Sequence, residues 1–134
     1  MPQHLIDALT HEHQAMLQAM QRLRLALLDG DINSAHEARD VLQRLHVAHI
    51  AAEETELIPQ LPAAARWQAK VYLAEHAKLA AMIEQWHERL QQHGAHIDSS
   101  VLRLALLDAS LPLQHLLEHH FEREEKGLFL ETAT

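Results

Sequence analysis

Apolar residues recur along the chain in alternating steps of four and three, the spacing of a helix that buries one face in a bundle. The first series is Leu9, His13, Met16, Met20, Leu23 and Leu27. A second series lies 63 residues later and consists of Tyr72, His76, Leu79, Ile83, Trp86 and Leu90. In both series a histidine preceded by a glutamate stands where the pattern predicts an apolar side chain, so these two histidines need an explanation.

Helix start and stop signals predict two helices in the first half of the chain. The first helix spans roughly residues 4–28 and ends before Gly30, because glycine readily takes the left-handed conformation of a helix C-cap. The second helix begins at Ser34, which has capping-box spacing with Glu37. It ends near residues 59–61.

Two more helices are predicted in the second half. The third begins at Pro62, which suits a first helical turn, and ends at about Gly94. The fourth extends from residue 98 or 99 to about residue 130. Pro112 lies inside it and should kink it, or split it with Ser110 as a second cap.

The second helix of each predicted hairpin also repeats, with an offset of 71 residues. Residues 41–59 align with residues 112–130, and seven of these 19 positions are identical. The two offsets predict a single domain over residues 1–134, an all-α, up-down-up-down antiparallel four-helix bundle. It would be built from a duplicated helical hairpin, with repeats at approximately 4–61 and 62–130.

Composition excludes several functional classes. With 134 residues the chain can bury a core without disulfides, and only 3 glycines favour helix throughout. The absence of cysteine excludes disulfide scaffolds and thiolate metal sites. A formal charge of −8 without a basic stripe argues against nucleic acid as a partner. We find no leader segment and no apolar run of membrane-spanning length, so we expect a cytoplasmic protein without membrane contact.

The 13 histidines are the unusual feature of the composition. A His-x-x-x-Glu spacing places two metal-binding groups one turn apart on one helix face. It occurs only twice, at His49/Glu53 and at the equivalent repeat position His120/Glu124. With the two histidines of the apolar series, the predicted metal ligands are His13, His49, Glu53, His76, His120 and Glu124. Six ligands exceed the needs of one zinc ion and suit two metal ions in a bundle core. Imidazole with carboxylate favours iron, and manganese or zinc is also compatible.

Four other residues are candidates for an extra ligand or for support of the ligands: Tyr72, His119, Glu54 and Glu125. Tyr72 could be a phenolate ligand, a hydrogen-bond donor to a bound species, or a core side chain. Glu54 and Glu125 would hold the ligands in place or form surface pairs. An alternative register, His119–Glu124 or His120–Glu125, would break the internal repeat. His46 and His115 are also within reach of the site in sequence.

At these residues the sequence resembles the hemerythrin-like, or HHE cation-binding, family over the whole chain. The stretches HIAAEETELIP and HFEREEKGLFL are the most typical. The resemblance implies two iron ions with a bridging oxo or hydroxo group, and binding of O2 or NO or reaction with peroxide. Hemerythrins carry a fifth histidine where this chain has Tyr72. They also have a five-residue step from histidine to aspartate where this chain has His120-x-x-x-Glu124.

Three functions are compatible with this pattern. The first is a di-iron protein that binds, senses or scavenges a small diatomic molecule or peroxide. The second is an iron-dependent oxidase or peroxidase-like enzyme, or a repair protein for iron centres, which the ligand set also resembles. The third is a metal-stabilised structural or interaction bundle. The pattern assigns no catalytic residue, and it leaves the oligomeric state open.

Overall fold

The computed structural model describes residues 2–133, which are helical almost throughout. Its α-helices with their labels are α1 (Pro2–Asp29), α2 (Ile32–Ala52), α3 (Ala69–Gln91), α4 (Ser100–Ala109), α5 (Leu111–Arg123) and α6 (Phe129–Glu131). Two wider π-helical turns, Glu53–Leu57 and Glu124–Leu128, follow α2 and α5 directly, and a 3-10 turn, Ile58–Gln60, ends the second helix. Within the described residues no strand forms.

Four long helical segments pack together, so the prediction of an all-α four-helix bundle is confirmed. The α1 helix packs along α2, and α2 packs against α3. The fourth segment consists of α4 and α5, which abut at Ser110 and pack against α1 and α3. Within residues 2–133, no helix has both the length and the apolar character needed to cross a membrane.

Two apolar clusters fill the interior. The larger core includes Met16, Met20, Leu23, Leu42, Leu79, Ile83, Trp86, Leu113 and Leu117. The smaller core consists of Ile6, Leu9, Leu57, Ile58, Tyr72, Leu128 and Phe129. Along α1, His13 lies between Leu9 of the smaller core and Met16 of the larger core. The same order holds on α3 for Tyr72, His76 and Leu79, so a layer of polar residues separates the two clusters.

The turn between α1 and α2 confirms the predicted glycine cap. Gly30 has a φ of 72°, and a Cβ placed there would lie 2.3 Å from the carbonyl oxygen of Ile97. The N–H of Ile97 donates to the carbonyl of Gly30 at 2.9 Å. A residue with a side chain would strain the backbone here and would collide with the loop before α4, so glycine is required for both reasons.

Two predicted helix starts were wrong. The second helix begins at Ile32, because the Asp31 carboxylate caps it by accepting a hydrogen bond from the N–H of Ser34 at 3.0 Å. The third helix begins at Ala69 instead of Pro62, since residues 61–68 form a loop whose Trp67 packs on the smaller core. This helix also ends at Gln91, three residues before Gly94.

The start of the fourth segment was predicted correctly. The Ser99 hydroxyl accepts a hydrogen bond from the N–H of Leu102 and caps α4. The helix is split at Ser110, as the following Pro112 predicts. Ser110 is the N-cap residue of α5, as predicted, but its hydroxyl donates to the carbonyl of Leu107 and makes no capping hydrogen bond to α5.

Candidate metal centre

The polar layer between the two cores contains all six of the histidines and glutamates that the repeat pattern singled out. They are His13 on α1, His49 on α2, Glu53 at the first π turn, His76 on α3, His120 on α5 and Glu124 at the second π turn. Each is at most 1% exposed. Four separate helical segments therefore deliver polar groups to one enclosed place.

These six residues form two overlapping sets that could each hold a metal ion. The first ligand set is His13, His49, Glu53 and Glu124, and the second ligand set is Glu53, His76, His120 and Glu124. Within each set, one ligand atom per residue lies within 4.8 Å of the others. Both carboxylates belong to both sets, which is the arrangement that two carboxylate-bridged ions require.

Several short contacts in this layer lack the direction of a hydrogen bond. Glu53 Oε2 lies 3.0 Å from His49 Nε2, and Glu53 Oε1 lies 2.9 Å from His76 Nε2. Neither oxygen of Glu53 has a hydrogen-bond partner, although both are fully buried. The Nε2 atom of His120, 2.8 Å from Glu124, is also unpartnered. Buried carboxylates are costly unless paired or bound to a cation, so this donor set fits a metal ion.

Four further glutamates hold the outer nitrogens of the four histidines. The Nδ1 atoms of His13, His49, His76 and His120 contact Glu125, Glu12, Glu54 and Glu75, respectively, at 2.7 to 2.8 Å. A carboxylate only accepts hydrogen bonds here, so each Nδ1 carries the proton. With a metal ion bound, each Nε2 would then offer its lone pair to the centre, as in many metal sites where a carboxylate orients the histidine.

The outer glutamates follow the same crossed pattern in both sequence repeats. Glu12 precedes His13 but contacts His49, because adjacent residues on a helix point in different directions. Glu75 follows the same rule and contacts His120 instead of His76. Sequence reasoning missed both glutamates as supports of the site. Their recurrence at the offset of 63 was the signal that could have found them.

Both predicted supports, Glu54 and Glu125, are in place. Glu54 accepts from His76, and Glu125 accepts from His13, at 2.7 Å each. The alternative registers are not formed, because Glu125 lies outside the centre and His119 is exposed. His119 instead lines a surface pocket of about 290 Å³ together with Trp67.

The pKa values of the polar layer describe its protonation in the absence of metal. Burial lowers the pKa of His49, but the nearby carboxylates of Glu124 and Glu53 outweigh burial and raise the pKa to about 10. The same causes raise the pKa of His76 to about 10. Burial and the charge of Glu124 raise the pKa of Glu53. Protons on the histidines thus compensate the carboxylates, and a bound cation would take their place.

Tyr72 is fully buried one helical turn before His76. Burial raises its pKa to about 12, so the phenol keeps its proton. The backbone N–H of Leu128 opposes this shift. Among the described residues, the hydroxyl has no hydrogen-bond partner.

His46 is a buried histidine outside the six. Its ring faces the edge of the His76 ring, with the ring centroids 6.5 Å apart. Burial, followed by the charges of His76 and His120, lowers its pKa to about 4. Its Nε2 has no partner in the described part of the chain, and the equivalent repeat position is Leu117.

No family model, curated protein or solved structure matches this chain. A surface pocket of about 380 Å³ lies near the turn between α1 and α2 and contains none of the six residues, so it does not compete as the chemical centre.

Proposed function

We propose that this chain is a non-haem di-iron protein of the hemerythrin-like kind, which binds, senses or scavenges a small molecule such as O2, NO or peroxide. The observation that carries the proposal is the pair of buried ligand sets that share Glu53 and Glu124. Each set offers two imidazole nitrogens and two carboxylates, and the outer glutamates orient every imidazole toward the centre.

The donor set favours iron over other metals. Imidazole and carboxylate without thiolate suit iron, with manganese or zinc as the alternatives. Bound iron supplies the capacity to bind and reduce small oxygen or nitrogen species. Each set provides four protein donors, about two fewer than an octahedral ion takes. A bridging oxo or hydroxo group and one external molecule would complete such a sphere.

We also propose that the bundle is an up-down-up-down antiparallel fold built from a duplicated hairpin. Two features support this topology. The carbonyls of Glu53 and Glu124 each accept a backbone hydrogen bond from the residue five positions later, so a π turn follows both shared carboxylates. The crossed glutamate–histidine pairs also recur with the sequence offsets. A cytoplasmic location agrees with the lack of cysteine.

The test is metal content per chain by elemental analysis, with ultraviolet–visible spectra before and after adding O2 and NO. We expect about two irons and absorption bands that respond to at least one of the gases. Replacing a ligand of the first set, His49→Ala, should lower the iron content by about one ion per chain. His46→Ala is the matched control, because it removes a buried histidine one turn away that belongs to neither ligand set.

Each outcome separates the functions considered. Iron content unchanged in His49→Ala would overturn the site assignment. Rapid turnover of peroxide would favour a peroxidase-like enzyme over a binding protein. Two irons with spectra that ignore O2, NO and peroxide would favour a metal-stabilised structural bundle. No iron, or one zinc ion with a silent spectrum, would overturn the di-iron proposal altogether.

A further inference from the structure

The apolar layer that covers the centre on the side of the smaller core contains a single tyrosine. Tyr72 corresponds to Leu9 in the first sequence repeat, and both side chains are buried in this layer. On the side of the first ligand set, the neighbours are apolar: His13 stacks on Phe121 and Phe129, with centroid distances of 4.0 and 5.3 Å. The second ligand set has the Tyr72 hydroxyl instead.

The Tyr72 hydroxyl has no acceptor among the described residues, although it is fully buried. A buried hydroxyl without a partner is destabilising, which points to a partner that the chain itself does not supply. Tyr72 is one turn from His76 on the same helix face. His76 belongs to the second ligand set only, so α3 carries the open donor next to that set.

Gly127 makes room for this hydroxyl. A Cβ placed on Gly127 would lie 2.5 Å from the Tyr72 oxygen and 2.6 Å from the Trp67 ring. Gly127 lies in the π turn that begins at Glu124, and the equivalent residue of the first repeat is the exposed Glu56. The absence of a side chain thus lets the phenol reach its position in one repeat only.

Trp67 packs on the smaller core, and its ring and the Tyr72 hydroxyl both lie next to Gly127. The guanidinium groups of Arg66 and Arg123 lie 4.4 and 4.9 Å from the centroid of the Trp67 ring. These three residues line the surface pocket described above, and Tyr72 beneath them is fully buried. A small molecule under Tyr72 would therefore be shielded from water, which strengthens a hydrogen bond to it.

We propose that the external small molecule binds at the second ligand set beneath Tyr72, and that the Tyr72 hydroxyl donates a hydrogen bond to it. This inference rests on the proposed di-iron function and specifies which half of the site is open. The chemical class is a small, weakly polar acceptor such as NO, O2, peroxide or azide. An apolar layer with one donor admits such a molecule and orients its accepting atom.

The experiment compares NO binding to the iron-loaded, reduced protein in wild type and Tyr72→Phe. We expect equal iron content, with NO dissociation about three- to tenfold faster in the variant, as expected for one lost hydrogen bond. The N–O stretching frequency should shift between H2O and D2O in wild type, and this shift should disappear in Tyr72→Phe. Leu9→Met is the matched control, since it alters the same layer beside the first ligand set and should change neither readout.

A second variant keeps the tyrosine. Gly127→Ala should push the hydroxyl away and speed NO dissociation as Tyr72→Phe does. Wild-type rates and isotope shift in Tyr72→Phe would overturn the inference while leaving the di-iron function intact. Tyr72 is the only tyrosine, so a phenolate-to-iron absorption band, or iron loss in Tyr72→Phe, would make it a ligand and also overturn the inference. Wild-type protein without iron would overturn both proposals.

Discussion

The two ligand sets are alike at the centre and different around it. Each has two histidines, and each histidine is held by its own outer glutamate. In the first set His13 stacks on Phe121 and Phe129, whereas in the second set His76 lies beside the polar ring of His46 and one helical turn after Tyr72. The support of the second set is also stronger, because Arg123 donates to both oxygens of Glu75 at 3.2 Å.

If the centre holds iron as proposed, the two repeats would share the task of holding the metal and differ in contact with a small molecule. Both sets offer two histidines and the same two carboxylates. The surroundings differ at equivalent positions, such as Leu9 and Tyr72. We therefore expect the two sets to load metal similarly and to differ in what they expose to an external molecule.

The largest expected effect comes from removing what the two sets share. In Glu124→Ala, both sets lose a carboxylate, so iron content should fall from about two per chain to nearly none. In His120→Ala, only the second set loses a ligand, and about one iron should remain. Elemental analysis of both variants after identical loading measures this difference. Equal losses in the two variants would show that the sets do not act as separate positions.

A smaller effect on metal affinity should distinguish the outer glutamates of the two ligand sets. Glu75→Gln removes the charge that accepts from His120 Nδ1, and Glu12→Gln does the same for His49. Losing such a support typically costs 10–100-fold in metal affinity. We expect the larger loss in Glu75→Gln, because Glu75 is 18% exposed and Glu12 is 39% exposed. Competition with a chelator measures the affinities. A larger loss in Glu12→Gln would contradict the ranking of the two supports.

The smallest effect concerns His46, whose counterpart in the second repeat is Leu117. The substitution His46→Leu would give both positions the same residue. The pKa of His46 is lowered to about 4, whereas the unfolded chain binds this proton near pH 6.5. The folded state therefore binds fewer protons between these values, and stability falls as the pH falls through this range. The substitution should stabilise metal-free protein by about 1 kcal/mol at pH 7 by removing an unpartnered buried nitrogen.

Thermal unfolding of the metal-free protein at pH 7 and pH 5 tests this prediction. The advantage of His46→Leu over wild type should increase at pH 5, since the variant no longer loses stability by protonation of this group. A stability difference that stays constant between the two pH values would show that His46 is not held neutral by burial.

Most of the centre could be predicted from the sequence because it depends on two regular spacings. The seam position of His13 and the four-residue step from His49 to Glu53 are local facts about a helix. Because both features recur at fixed offsets, the remaining ligands of the six can be predicted in the same way. Glu12 was missed as a support because its partner, His49, is on another helix, and only the packing of α1 on α2 shows which residue it reaches.

The start of the third helix could not be predicted for a similar reason. Pro62 is a good first helical residue, but residues 61–68 form a loop because Trp67 packs on the smaller core and Arg66 donates its N–H to Glu131 at 2.9 Å. Both contacts involve distant parts of the chain. The π turns after Glu53 and Glu124 could not be predicted either, because helix propensity predicts an uninterrupted helix there.

The glutamates in and around the centre carry most of the net charge of the molecule. They are Glu12, Glu53, Glu54, Glu75, Glu124 and Glu125. The rest of the chain has 13 acidic residues and 11 lysines and arginines, so it contributes only −2 of the formal charge of −8. Each divalent ion bound at the centre would add two positive charges and would displace protons from histidines such as His49 and His76, so the net charge would change by less than two per ion. Native electrophoresis or ion exchange of metal-free and loaded chains measures this difference in charge.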